Sequence, residues 1–245
     1  MQLKISNLAV GYKQKTVLSE INLQAKTGDF IALVGKNGAG KSTFLKTLSG
    51  ILPALSGEVL LDNVDLLALQ AQERARYISI VLTDRIDVPM TVREFVVMGR
   101  QPYTTLWGKT SKKDKQVISE VCEMLNITTL FDRKITELSD GERQKVLIGR
   151  ALVQETPILL LDEPTTHLDM ENKAILINNL LKISKAKNKI VIISTHDINL
   201  ILPKINKIWL TDTSINEKLQ HSDLNDLFQS EWIKYDTNCQ IFRLI

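Results

Sequence analysis

Phe30-Ile31-Ala32-Leu33-Val34-Gly35-Lys36-Asn37-Gly38-Ala39-Gly40-Lys41-Ser42 decides the fold of this chain. The apolar run Phe30–Val34 reads as a buried strand, and Thr43–Leu48 beyond it reads as a helix. Between them, Gly35 to Ser42 fits the phosphate-loop pattern G-x-x-x-x-G-K-[ST], which needs that strand–loop–helix context. The glycines let backbone N–H groups turn inward around an anion, and the helix N-terminus adds its positive end. Lys41 is placed to reach β- and γ-phosphates, and Ser42 to ligate Mg²⁺. A glycine-rich turn that matches by accident is the bland alternative, and it weakens as the rest of the chain is read.

Working outward, apolar strands are expected at Ile78–Leu82, Pro157–Leu161 and Ile190–Ser194. Runs this rich in Leu and β-branched residues suit a parallel sheet buried on both faces. Helical patterns separate them, so the winding is α/β. Residues 1–30 read as short strands with turns at Gly11-Tyr12 and Thr27-Gly28-Asp29, and a further strand pair falls around Gly57–Asp62. From about Thr91 to Gln154 no such strand occurs; helices over Lys112–Leu125 and Gly141–Leu152 make a helical subdomain. A polar C-terminal extension, about 211–245, ends on Gln240–Ile245 as an edge strand. The expected fold class is one α/β domain over residues 1–245. It has a P-loop NTPase core with a mixed, largely parallel sheet, an N-terminal antiparallel β subdomain and a helical subdomain.

Composition excludes several classes. The formal net charge is only +3 over 245 residues, too small to argue for nucleic acid. Lys112-Lys113 and Lys185-Ala186-Lys187 read as solvated faces. Cys122 and Cys239 are far apart without metal-ligand spacing, and read as reduced, buried or incidental thiols. The N-terminus lacks a signal-peptide layout and no run of about 18 apolar residues occurs, so a cytoplasmic protein is expected.

Two further elements carry chemistry. Ile158-Leu159-Leu160-Leu161-Asp162-Glu163-Pro164 is an apolar strand ending in carboxylates, where ligands sit in open α/β sheets. Asp162 there suits holding Mg²⁺, and Glu163 suits polarising a water that attacks a γ-phosphate. A strand that ends in a solvated acidic turn is the alternative. Leu138-Ser139-Asp140-Gly141-Glu142 precedes a helix with an apolar stripe at Leu147, Ile148, Ala151 and Leu152. Ser139 with Glu142 three residues on is a capping box, the local explanation. A capped helix N-terminus with a glycine is also a good anion site, so both readings stand.

The order Tyr12, GKNGAGKS (35–42), LSDGE (138–142), ILLLDEP (158–164), THLD (166–169) and STHD (194–197) resembles the nucleotide-binding subunit of an ABC transporter, over essentially the whole chain. The resemblance implies ATP and Mg²⁺ as cofactors, with Gly35, Asn37, Gly38, Ala39, Gly40, Lys41, Ser42 and Thr43 around the phosphates. It implies that Tyr12 stacks on adenine. Ser139 and Gly141 would contact the γ-phosphate held by the opposite subunit, and Asp169 would couple the two sites. His196 would hydrogen-bond the γ-phosphate, making Glu163, His196 and Lys41 the catalytic set. His167 and His221 have no such support and read as surface or packing residues.

Three departures from the family pattern stand out. Thr83, followed by Asp84 and Arg85, replaces a glutamine that touches Mg²⁺, leaving a water bridge or help from Asp84; Ser42, Asp162 and Thr83 form the expected metal set. Asp140 and Glu142 replace glycine and glutamine, adding negative charge near the trans phosphate. Lys36 stands where proline is frequent and offers an offset. Met98-Gly99-Arg100-Gln101-Pro102-Tyr103, after Thr91-Val92-Arg93-Glu94-Phe95, is similar to importers of iron chelates, haem and cobalamin. The implied protein is an ATPase that dimerises around two ATP molecules at the cytoplasmic face of the membrane. It drives separate integral membrane permease subunits, with a substrate-binding protein acting indirectly and no nucleic acid partner. A soluble ABC ATPase of iron–sulfur cluster assembly is the alternative. A DNA-repair or translation ABC protein would need a coiled-coil insertion or a second cassette.

Overall fold

Residues 2–26 and 56–65 build one sheet, and the apolar runs from Phe30 onward build another, in a computed structural model that describes residues 1–13, 15–83, 88–103, 110–166, 168–211, 214–218, 233–236 and 241–244. Asp84, Arg85, His167, His221 and Cys239 lie outside those residues. Strands β1 (Gln2–Tyr12), β2 (Lys15–Lys26), β4 (Ser56–Leu61) and β5 (Val64–Asp65) form an antiparallel sheet in the order β2-β1-β4-β5. Between them in the chain come β3 (Phe30–Gly35) and helix α1 (Lys41–Leu48). After the short helix α2 (Ala71–Arg74) come β6 (Ile78–Val81), α3 (Val92–Val97), α4 (Lys112–Met124), α5 (Asp140–Val153), β7 (Ile158–Asp162), α6 (Met170–Ala186) and β8 (Ile190–Ser194). The chain continues through α7 (Ile198–Ile201), β9 (Lys207–Thr211), β10 (Ile215–Lys218), β11 (Ile233–Asp236) and β12 (Ile241–Leu244).

The central sheet runs β10-β9-β3-β8-β7-β6. Five of its strands are parallel, and β10 pairs antiparallel with β9 at the edge. Because side chains alternate along a strand, each parallel strand feeds two cores. Phe30, Ala32, Val34, Leu159, Leu161, Val191 and Ile193 face a core shared with α3 to α6. Ile31, Leu33, Ile158, Leu160, Ile190 and Ile192 face a core shared with α1 and the antiparallel sheet. Apart from the small Ala32, each of these apolar side chains contributes about 1.5–3 kcal/mol by leaving water. The doubly buried sheet expected from composition follows from that two-sided packing.

One local expectation is corrected. Gly11 and Tyr12 are strand residues, and the turn falls at Lys13, which has φ 51°. A Cβ at Gly11 would lie 2.1 Å from the Lys15 carbonyl oxygen, so this glycine serves close strand approach rather than a turn. The C-terminal strand pairs with β11 in a separate two-stranded ribbon, and β10 lies at the edge of the main sheet beside β9. The Met98–Tyr103 segment is a 3₁₀ helix with Arg100 buried. Arg100 donates to Asp114 at 2.7 Å, to Glu155 at 2.8 Å and to the Val153 carbonyl at 2.6 Å, tying the segment to α4 and the end of α5. Cys122 is buried, and burial pushes its thiol up to about 11, as an inert structural thiol requires.

Register brings the chemistry to one place. Asp162 pairs with Ser194 across β7 and β8, and Gly35 pairs with Thr211 across β3 and β9. The phosphate loop and both acidic and histidine turns therefore leave the same carboxyl edge of the sheet, where open parallel sheets bind ligands.

Candidate active site

The loop after β3 turns on two glycines whose backbone conformation is strained for other residues. Gly38 has φ 78° and Gly40 has φ 89°, in the left-handed region. A Cβ at Gly40 would also lie 2.7 Å from Val17 Cγ1. Gly40 caps α1 without a side chain, and the first turn of α1 holds no acidic residue, so its N–H groups stay available to an anion. Lys41 is only 5% exposed. Its Nζ donates to the carbonyls of Gly35 at 2.8 Å and Lys36 at 3.0 Å, which holds the ammonium inside the loop. Burial lowers its pKa below the usual lysine value, while the charges of Glu163 and Asp162 pull it back up. Those couplings put both carboxylates within electrostatic reach of the ammonium. Tyr12, half exposed at the end of β1, is joined through its hydroxyl to Thr43 Oγ1 at 3.4 Å and overlooks the start of α1.

Opposite the loop, Ser194 organises the acidic pair. Its Oγ donates to Asp162 Oδ1 at 2.6 Å and accepts from the Glu163 N–H at 2.9 Å. Glu163 sits at φ 48°, a left-handed conformation for a residue with a side chain, and its Oε1 lies 2.6 Å from His196 Nε2. Behind the histidine, Asp197 accepts from Thr165 at 2.6 Å and Lys173 at 2.9 Å. Burial raises the Asp197 carboxyl, but those bonds and the charges of Lys173 and His196 outweigh it and hold it below the usual range. Sequence reasoning did not single out Ser194; its signal was a hydroxyl ending an apolar run just before Thr195-His196. Thr83 does reach this edge: Oγ1 donates to the Asp162 backbone carbonyl at 3.0 Å.

The remaining candidates form a second group on helix starts. Ser139 caps α5, accepting from the Glu142 N–H at 3.3 Å and donating its hydroxyl to Glu142 Oε2 at 2.9 Å. Gly141 is neighboured by Leu168, whose Cδ2 would lie 3.3 Å from a Cβ there. Asp169 caps α6, accepting from the N–H and Nδ2 of Asn172, each at 2.8 Å. The extra acids of this segment are paired: Glu142 with Arg133 and Asp140 with Arg143, both at 2.9 Å. Within the chain these arginines answer the added acids, and Lys36 is an exposed residue of the phosphate loop.

Chemically, the first group offers an anion cradle, a buried ammonium, and a carboxylate against an imidazole. The hydroxyls of Ser42 and Thr83 and the buried Asp162 carboxylate are hard oxygen donors. They fit Mg²⁺, which keeps water and substrate phosphates as its other ligands.

Comparison with known proteins gives a consistent result. Residues 18–166 match the family model described as ABC transporter. The manganese transport system ATP-binding protein MntB of Listeria innocua is 35% identical, covering 95% of this chain and 95% of its own length. The petrobactin import ATP-binding protein FpuD of Bacillus anthracis is 33% identical, covering 81% of this chain and 73% of its own length. Among solved structures, a dimeric post-hydrolysis state of an ATP-binding cassette bound to ADP and Pi superposes with a TM-score of 0.78. It is 28% identical and covers 89% of this chain and 98% of its own.

Proposed function

We propose that this chain, which belongs to the ABC transporter family, is the ATP-hydrolysing subunit of an importer for a metal ion or an iron chelate. The observation that carries the reading is Glu163 poised 2.6 Å from His196 and electrostatically coupled to Lys41 at the loop. Two copies would sandwich two ATP molecules. Each nucleotide would lie between the phosphate loop, Asp162, Glu163 and His196 of one copy and Ser139 and Gly141 of the other, with Tyr12 on adenine and Asp169 linking the sites.

In the proposed mechanism Lys41 moves from the Gly35 and Lys36 carbonyls to the phosphates and offsets the charge that builds on them. Glu163 accepts the proton of the attacking water, and His196 orients that carboxylate and touches the γ-phosphate. Ser194 keeps Asp162 and the Glu163 backbone in register. Mg²⁺, held by Ser42 and Asp162 with Thr83 alongside, would supply charge neutralisation between the phosphates.

No helix among the described residues is long and apolar enough to cross a membrane. We place the chain at the cytoplasmic face, held by a permease. A cleft of about 560 Å³ lined by Ile51, Gln72, Ala75, Met98, Pro102 and Arg150 suits a helix of that partner. Co-expression with candidate membrane permease subunits tests the reading. The pair is expected to co-purify and to hydrolyse ATP faster than the chain alone. Robust turnover indifferent to any permease would instead favour a soluble ATPase such as that of iron–sulfur cluster assembly.

Thr83 supplies a smaller prediction. Thr83→Val removes the hydroxyl at nearly constant volume and leaves the Asp162 carbonyl without that donor. A loss of about 1–2 kcal/mol in Mg²⁺-dependent, permease-stimulated ATPase is expected. Thr83→Gln is expected to be tolerated. A magnesium titration in which Thr83→Val overlays wild type would make Thr83 a bystander.

A further inference from the structure

We propose that Arg133 is a positioning residue for the trans half of the reaction: it neutralises Glu142, and so frees the Ser139 hydroxyl to turn to the γ-phosphate of the opposite copy. The inference rests on the ATP-sandwich reading above. It starts from where the Ser139 proton is. The hydroxyl donates inward to Glu142 Oε2 at 2.9 Å, and the same oxygen accepts the Ser139 N–H at 2.9 Å. A serine that donates inward turns its lone pairs outward, which repels a phosphate oxygen. To engage the phosphate, Ser139 must exchange a charged acceptor for another, and the exchange is easier the weaker Glu142 is as an acceptor.

Arg133 sets that strength. Its guanidinium donates to Glu142 Oε1 at 2.9 Å and, through its other terminal nitrogen, to the Glu137 carbonyl. The second bond aims the fork at Glu142. The Glu142 carboxyl is held below its usual range first by the Ser139 N–H, against burial, with the Ser139 hydroxyl and Arg133 adding to the effect. It is therefore an anion at neutral pH. Without Arg133 that anion would stand unpaired beside the serine that must meet a polyphosphate. The neighbouring Asp140 is answered separately by Arg143, which also donates to the Leu138 carbonyl. Two acids replace neutral residues of the family pattern here, and each has its own arginine.

The test compares wild type, Arg133→Met, Arg133→Lys and the double variant Arg133→Met with Glu142→Gln. Arg133→Met is expected to raise the KM for MgATP about tenfold and to weaken ATP-dependent dimerisation on sizing chromatography, with kcat within about threefold. Arg133→Lys should keep most of the function. The double variant should return to within about threefold of wild type, since glutamine keeps the cap and removes the charge. The Arg133→Met defect should shrink as salt rises, because the groups are part-exposed. A fluorescent ATP analogue should bind the monomeric single variant as it binds wild type. Arg133→Met with a wild-type KM, or a double variant as impaired as the single one, would overturn the proposal and leave Arg133 a packing residue. A wild-type chain that turns over ATP without dimerising would sink the sandwich reading itself, and this inference with it.

Discussion

Lys41→Ala is expected to lower ATP turnover by a factor of about 100–1000, the size of effect seen when one preorganised donor to a developing anion is removed. The ammonium of Lys41 is almost fully buried and is held inside the loop by two carbonyls at 2.8 and 3.0 Å, from which it turns to the phosphates. Its charge is exerted in a site of low dielectric, where it counts for more than in water. Alanine keeps helix α1, being the best helix former, so the fold should survive. The measurement is steady-state ATPase of the purified variant, with circular dichroism to confirm folding. Wild-type turnover from a folded Lys41→Ala protein would refute the assignment of the loop.

Glu163→Gln is expected to bind ATP and to hydrolyse it about 100- to 10000-fold more slowly, because the amide cannot take the proton of the attacking water. The shape of glutamine matches, so the contact to His196 at 2.6 Å and the Ser194 bonds to the backbone can persist. Binding and dimer closure would then proceed while the exit from the closed state is blocked. The variant should elute as an ATP-bound dimer on sizing chromatography with Mg-ATP. A monomer that continues to hydrolyse ATP at the normal rate would remove both the base role of Glu163 and the sandwich.

Much of this chain was legible before any coordinates. The phosphate loop is a local object: its glycines answer to φ values near 80–90° at Gly38 and Gly40, and its lysine and serine follow at fixed spacing. The buried strands were legible because two-sided burial demands continuous apolar runs, and the capping box at Ser139 because its partners are three residues apart. The turn misplaced at Gly11 shows the limit, since a glycine that admits a neighbouring strand looks the same in sequence as one that admits a turn.

What sequence alone determined about this protein is therefore the set of parts whose physics closes within a few residues: the loop, the strand ends, the helix caps and their order. Only the tertiary structure decided which distant parts meet. Thr83 bonds the Asp162 carbonyl across 79 residues, and Ser194 bonds the Asp162 carboxylate across 32. The pairing of Glu163 with His196, and of Glu142 with Arg133, depends likewise on strand register and helix packing. A hydrogen bond needs its atoms placed to a few tenths of an ångström, and for residues on different strands that precision comes from the packed sheet rather than from the chain between them.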